Sequence, residues 1–150
     1  MSEFRELYQE VILDHGKNPR NFREAAEGER TAYGHNPLCG DKIQVHVAMD
    51  HGVIENVAFH GQGCAISTAS ASMMTQTLKG KTLEAAETMF QSFHNLITGT
   101  GDPETDLAGL GKLAVFAGVR EFPVRVKCAT LAWHTFKAAL THSEEPASTE

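Results

Sequence analysis

Ile43-Gln44-Val45-His46-Val47-Ala48-Met49-Asp50-His51-Gly52-Val53-Ile54-Glu55-Asn56-Val57-Ala58-Phe59-His60 is the stretch whose reading decides the fold. Its first part alternates: Ile43, Val45, Val47 and Met49 share one face, while Gln44, His46 and Ala48 share the other. That period of two is the mark of a half-buried strand. Asp50-His51-Gly52 supplies a turn, and a second strand follows over residues 53–60, with Val53, Val57 and Phe59 on its buried face. Two short strands joined across a Gly-containing turn predict an antiparallel hairpin.

Helical patterns flank the hairpin. Upstream, Phe4, Leu7, Tyr8, Val11 and Ile12 recur at helical spacing, with Ser2 as the expected N-cap and Gly16 as the stop. Residues 17–38 lose all periodicity and read as an ordered surface loop anchored by Pro19, Phe22 and Tyr33. Downstream, Cys64 opens a helix of small and apolar residues that runs to Leu78 and is closed by Gly80. Thr82 caps the next helix, which carries Phe90, Phe93, Leu96 and Ile97. An acidic turn-rich loop over 98–106 leads to a short helix over 107–117, with Leu110, Leu113 and Phe116 as its apolar positions. Residues 122–127 read as extended, because Pro123 disfavours helix before it, and Cys128 opens the last helix. Together these elements predict an α+β fold, a small antiparallel β-sheet covered on one face by helices. A single domain spans 1–141, and 142–150 form a flexible acidic tail.

Composition narrows the function classes. The chain has 150 residues, 41% of them hydrophobic and 21% charged, as in an ordinary globular domain. Its 13 Lys and Arg against 19 Asp and Glu leave a formal charge of −6. That balance argues against nucleic acid as a partner, which calls for a basic face. No apolar run approaches the length of a membrane span, and the N-terminal residues resemble no secretory signal, so a cytoplasmic protein without a membrane partner is expected. The three cysteines, Cys39, Cys64 and Cys128, do not make a disulfide framework.

Each cysteine falls where an element is expected to begin. Cys39 lies in Asn36-Pro37-Leu38-Cys39-Gly40-Asp41, Cys64 follows Gly61-Gln62-Gly63, and Cys128 follows Arg125-Val126-Lys127. A thiol at a helix N-terminus faces unpaired N–H groups, which favour the thiolate. Arg125 and Lys127 add positive charge beside Cys128. A buried free cysteine is common filler, but filler sits more naturally within an element than at three expected junctions, two of them (Cys39 and Cys64) beside glycines. Three thiolates leave a tetrahedral zinc one ligand short, and Asp41 is the nearest candidate. On its local sequence Asp41 also suits a turn-stabilising role. His35 and His60 are competing ligands. The remaining histidines, His15, His46, His51, His94, His134 and His142, read as solvated or helix-packing residues, and a Cys/His nucleophilic pair through His134 lacks an orienting partner.

These residues carry a resemblance. Residues 7–15 (LYQEVILDH), 36–41 (NPLCGD), 61–67 (GQGCAIS) and 125–129 (RVKCA) are similar to the signatures of the NifU/IscU-like iron–sulfur cluster assembly family, and within it to the SufU branch. The similarity runs over residues 4–140. Lys127 stands where IscU-type scaffolds have His, residues 122–127 differ from the chaperone-recognised Leu-Pro-Pro-Val-Lys, and residues 88–111 correspond to an insertion of the SufU branch. The resemblance implies a SufE/NifU-like fold and Zn²⁺ held by Cys39, Asp41, Cys64 and Cys128. It further implies a SufS-type cysteine desulfurase as partner and SufBCD-type assembly machinery as downstream acceptor. Cys39 is then the sulfur acceptor, freed when a desulfurase His takes its place on zinc, and Arg125 an accessory catalytic residue that steers the persulfide. The alternative within the family is a scaffold on which iron, or a [2Fe–2S] cluster, is assembled and handed on.

Overall fold

The computed structural model describes residues 2–37, 40–98, 113, 116, 119, 122–140, 147 and 148, with backbone only for 2–9 and 147–148. The expected hairpin is its centre. Strand β2 (Asp41–Asp50) pairs antiparallel with β3 (Val53–Gln62). His51 (φ 52°) and Gly52 (φ 80°) form the connection, and two positive φ angles match the right-handed strand twist, as in a type I′ turn. The register shifts between Ala48 and Met49: Ala48 faces Asn56 whereas Met49 faces Ile54, leaving Glu55 as the extra residue. This bulge turns Ile54 inward alongside Val57 and Phe59, so Ile54, rather than Val53, becomes fully buried.

Strand β1 (Arg30–Asn36) corrects the expectation of a loop over 17–38. It pairs antiparallel with β2 from Arg30 opposite Val47 to Asn36 opposite Asp41. Its inward residues are Ala32, Gly34 and Asn36, which are too small or too polar to make a hydrophobic stripe. The space they leave is filled from above by a helix. In the stretch read as a flexible tail, Ala147 and Ser148 form a two-residue strand β4 parallel to β1 at Gly34 and His35, giving the order β3-β2-β1-β4.

Helix α1 (Ser2–Lys17) packs on α2 (Ala65–Leu78), α3 (Leu83–Thr98) follows, and α4 (Pro123–Leu140) is the last described helix. Helices α2 and α4 lie side by side on one face of the sheet, α2 over β3 and α4 over β1 and β2, as an α+β architecture requires. As expected, Thr82 caps α3, its Oγ1 accepting the Ala85 N–H at 3.1 Å. Residues 122–127 are not the extended segment expected. Pro123 is the first residue of α4, where its missing N–H and fixed φ are tolerated, so the helix starts five residues before Cys128. Of the helix expected over 107–117, Leu113 and Phe116 are buried, while Leu110 lies outside the described residues.

Aromatic contacts join the outer helices. Trp133 stacks on Phe93 with centroids 4.7 Å apart, and Phe116 meets Phe93 edge-on at 5.7 Å. The Trp133 Nε1–H donates to Ser70 Oγ at 3.2 Å, and Ser70 donates to the Ala129 carbonyl at 2.5 Å, so each of these buried donors has an acceptor. His15 Nδ1 and the Arg20 N–H both bond Ser72 Oγ, at 2.7 and 2.8 Å, tying the end of α1 to α2.

Gly34 sets how closely α4 approaches the sheet. A Cβ there would overlap Thr135 Oγ1 and press on Leu131 at 3.2 Å. Gly34→Ala is therefore expected to destabilise the protein by about 1–3 kcal/mol in urea unfolding. The same substitution in a Thr135→Ala background is expected to cost less, because the overlapped hydroxyl is gone.

Candidate metal centre

Asp41 is the first residue of β2 and is 2% exposed. Burial of an aspartate calls for partners, and it finds them at the start of α2. Oδ1 accepts the Cys64 backbone N–H at 2.9 Å, and Oδ2 lies 3.9 Å from Cys64 Sγ, to which the thiol donates. Cys64 is the N-cap of α2, in the extended region, and its Sγ accepts the Ser67 N–H at 3.4 Å. A sulfur thus takes the position that Ser or Asp usually holds. Helix α2 has no acidic residue in its first turn, so Asp41 and Cys64 Sγ are what meet the positive end of its dipole.

Cys128 reaches the same spot from α4. It is 2% exposed, and its Sγ accepts a hydrogen bond from Asn36 Nδ2 at 3.6 Å. The expectation that Cys128 sits at a helix N-terminus is corrected: it lies in the second turn of α4, beyond the free N–H groups of the first. The donor atoms of Asp41, Cys64 and Cys128 all fall within 4.8 Å of one another, one carboxylate oxygen and two sulfurs from three separate elements. Two thiolates on a tetrahedral zinc are about 3.8 Å apart, so small side-chain rotations close this set on one ion. Soft sulfur with one oxygen suits zinc or an iron–sulfur core better than magnesium or calcium.

Cys39 lies outside the described residues. On either side of it in sequence, the Gly40 N–H donates to the Asn36 carbonyl at 2.8 Å and Asn36 pairs with Asp41.

A family model described as NifU-like N terminal domain matches residues 7–142. The chain belongs to this family. Over 138 residues the NifU-like chain is 41% identical to the zinc-dependent sulfurtransferase SufU of Bacillus subtilis (strain 168), covering 92% of each protein. It is 40% identical over 143 residues to the iron-sulfur cluster assembly scaffold protein IscU of Streptococcus pyogenes serotype M1, covering 95% of this chain and 88% of the relative. Among solved structures, the putative iron-sulfur cluster assembly scaffold protein for the SUF system from Fervidobacterium islandicum AW-1 superposes with a TM-score of 0.80 at 34% identity, covering 91% of this chain and 98% of that one. The resemblance read from the sequence is borne out.

Among the described residues, no histidine joins the NifU-like chain's carboxylate–sulfur cluster. His35 is exposed on β1. His60 turns to the other face of the sheet, where its Nδ1 is 2.8 Å from His46 Nε2 and the two rings stack at 5.0 Å. His134 packs edge-on against Phe90 at 5.5 Å, and burial lowers its pKa. The Arg125 guanidinium lies over the Phe122 ring, 5.4 Å from its centroid. No helix of the described residues is long and apolar enough to cross a membrane.

The sequence does not show the part of two residues, Asn36 and His46. The signal for Asn36 is its place opposite Asp41 at the ends of the β1–β2 pair. His46, expected on a solvated face, is 1% exposed. Its Nδ1 bonds Thr31 Oγ1 at 2.8 Å, and near it Glu29 takes both Arg23 guanidinium nitrogens at 2.8 and 2.7 Å. Burial, and then the neighbouring His60, lower the His46 pKa. The unfolded imidazole titrates near ~6.5, so below that pH the unfolded chain binds a proton that folded His46 resists. Stability is therefore expected to fall as pH drops from 7 to 5, by at most about 1.4 kcal/mol per pH unit for this one group. His46→Asn should flatten the slope of thermal midpoint against pH relative to the unaltered chain.

Proposed function

We propose that this NifU-like chain is a zinc-dependent sulfur acceptor that takes persulfide sulfur from a SufS-type cysteine desulfurase for iron–sulfur cluster assembly. The observation that carries the reading is the convergence of Asp41, Cys64 and Cys128, with Asp41 two residues after Cys39 in the chain. The 41% identity to a protein named as a zinc-dependent sulfurtransferase supports the same choice. In this reading Cys39, Asp41, Cys64 and Cys128 hold the metal. Bound zinc would supply positive charge that keeps the thiols ionised at neutral pH.

The chain's own residues do the rest. The Cys39 thiolate attacks the terminal sulfur of the desulfurase persulfide. A new S–S bond forms on Cys39, the old S–S bond breaks, and the electron pair leaves with the desulfurase cysteine as thiolate, as in thiol–disulfide exchange. No oxidant or reductant is consumed. Asp41 is the hard, exchangeable member of the ligand set, whereas Cys128, buried in α4, is the fixed one. Arg125, exposed in the first turn of α4, is free of ion pairs among the described residues, and in this reading it attracts the incoming anionic persulfide. SufBCD-type assembly machinery is the downstream acceptor, and the cytoplasm the compartment.

The close relatives named as scaffolds favour a second reading, in which the same residues hold a [2Fe–2S] cluster, whose usual ligands are thiolates. One set of measurements separates the two. The purified protein is expected to carry about one zinc per chain, lost in Asp41→Ala, and to accelerate a desulfurase. Cys39→Ala should abolish that acceleration. An unchanged desulfurase rate with Cys39→Ala would overturn the acceptor reading, and a stable cluster after anaerobic reconstitution that passes to an apo-acceptor would favour the scaffold. Chelation is expected to lower the thermal midpoint without unfolding the chain, since a hydrophobic cluster as large as the one running from Ala32 to Ala139 can stand without the metal.

A further inference from the structure

We propose that Asn36 is the positioning residue of the metal centre, holding Cys128 Sγ by its side chain and the Gly40 N–H, next to Asp41, by its backbone carbonyl. This rests on the reading of Cys39, Asp41, Cys64 and Cys128 as metal ligands. Asn36 is 0% exposed at the end of β1, where a buried amide is costly unless its polar atoms are used. A small apolar residue would fill that inward position, as Ala32 does on the same strand. The amide is used instead. Nδ2–H donates to Cys128 Sγ at 3.6 Å, a contact between residues 92 apart in the chain. The Asn36 carbonyl accepts the Gly40 N–H at 2.8 Å, and Asn36 faces Asp41 across the strand pair. One residue therefore touches the Cys128 sulfur, accepts the N–H of the residue before Asp41, and is in register with that carboxylate ligand.

The chemistry of the donor set gives the amide its purpose. Three thiolates and a carboxylate carry a formal charge of −4, and a dication offsets only half of it. An N–H···S bond to an ionised sulfur is charge-assisted. It draws electron density from the sulfur, relieves repulsion among the ligands and fixes the χ1 rotamer of Cys128. Groups in this relation to a metal ligand typically affect affinity by about 10–100-fold. Asparagine also suits the place better than aspartate, whose oxygen would confront the sulfur with a second negative charge.

The test uses the full chain loaded with Co²⁺ in place of zinc, because sulfur-to-cobalt charge transfer reports directly on thiolate electron density. Asn36→Ala removes the donor and cannot overpack the site, and Asn36→Asp keeps the shape while reversing the hydrogen-bonding sense. Both are expected to bind Co²⁺ about 10–100-fold more weakly, with Asp weaker than Ala. Both are expected to shift the near-ultraviolet charge-transfer band to lower energy. A merely structural role for Asn36 would alter the thermal midpoint and leave the band of the fully loaded protein where it was. That outcome, or unchanged Co²⁺ affinity in both variants, overturns the inference while leaving the metal site intact. Absence of the charge-transfer band in the unaltered protein overturns the metal reading itself and this inference with it.

Discussion

The hydrogen bond from the Cys64 N–H to Asp41 Oδ1, 2.9 Å long, joins the start of a strand to the start of a helix. It answers two needs with one contact: a free N–H at the head of α2 gains an acceptor, and a buried carboxylate gains a donor. The orientation of Asp41 follows from it, with Oδ2 directed toward Cys64 Sγ at 3.9 Å. The remaining sulfur is then delivered by packing. Gly34 lets α4 settle close on β1, and Cys128 in the second turn of that helix comes down onto Asn36 at the strand's end. A small displacement of α4 would leave Cys64 and Asp41 together and Cys128 apart.

The three described members of the cluster differ in how firmly they are held. Cys128 is buried in a helix that also carries Ala129, Leu131 and Trp133, all at most 1% exposed. Cys64 is exposed at a helix terminus, and Asp41 is buried but carried at the end of a strand. Local opening is easiest where backbone hydrogen bonds and buried contacts are fewest. Among the described residues, the arrangement thus has an enclosed side on α4 and a more accessible side at the start of α2.

The hairpin was legible in the sequence because Ile43, Val45 and Val47 leave no doubt about their face, and because His51-Gly52 fits a two-residue turn. Strand β1 was not, since a strand whose inward residues are Ala32, Gly34 and Asn36 carries no hydrophobic alternation; its burial is provided by the helix above it. The bulge at Glu55 was equally silent, and it moved Ile54 into the core against strict alternation. Pro123 was read as a break when it is a beginning, and proline is compatible with both. The place of Cys64 in the carboxylate–sulfur cluster could be anticipated because a cysteine beside a glycine at a junction is uncommon as filler, whereas Cys128 lies within α4 and carries no such mark. The buried state of His46 could not, because it depends on the Arg23–Glu29 ion pair and on Thr31, which only tertiary structure brings near.

Trp133 is the chain's single tryptophan. Its ring lies stacked on Phe93, and its Nε1–H is bonded to Ser70 on α2. It follows Cys128 on the same helix by little more than one turn. The indole therefore touches α2 through its nitrogen and α3 through its π-face while riding on the element that carries a sulfur of the cluster. Its emission is a built-in optical gauge of whether α4 is seated, readable in the unlabelled protein while metal or partner is added.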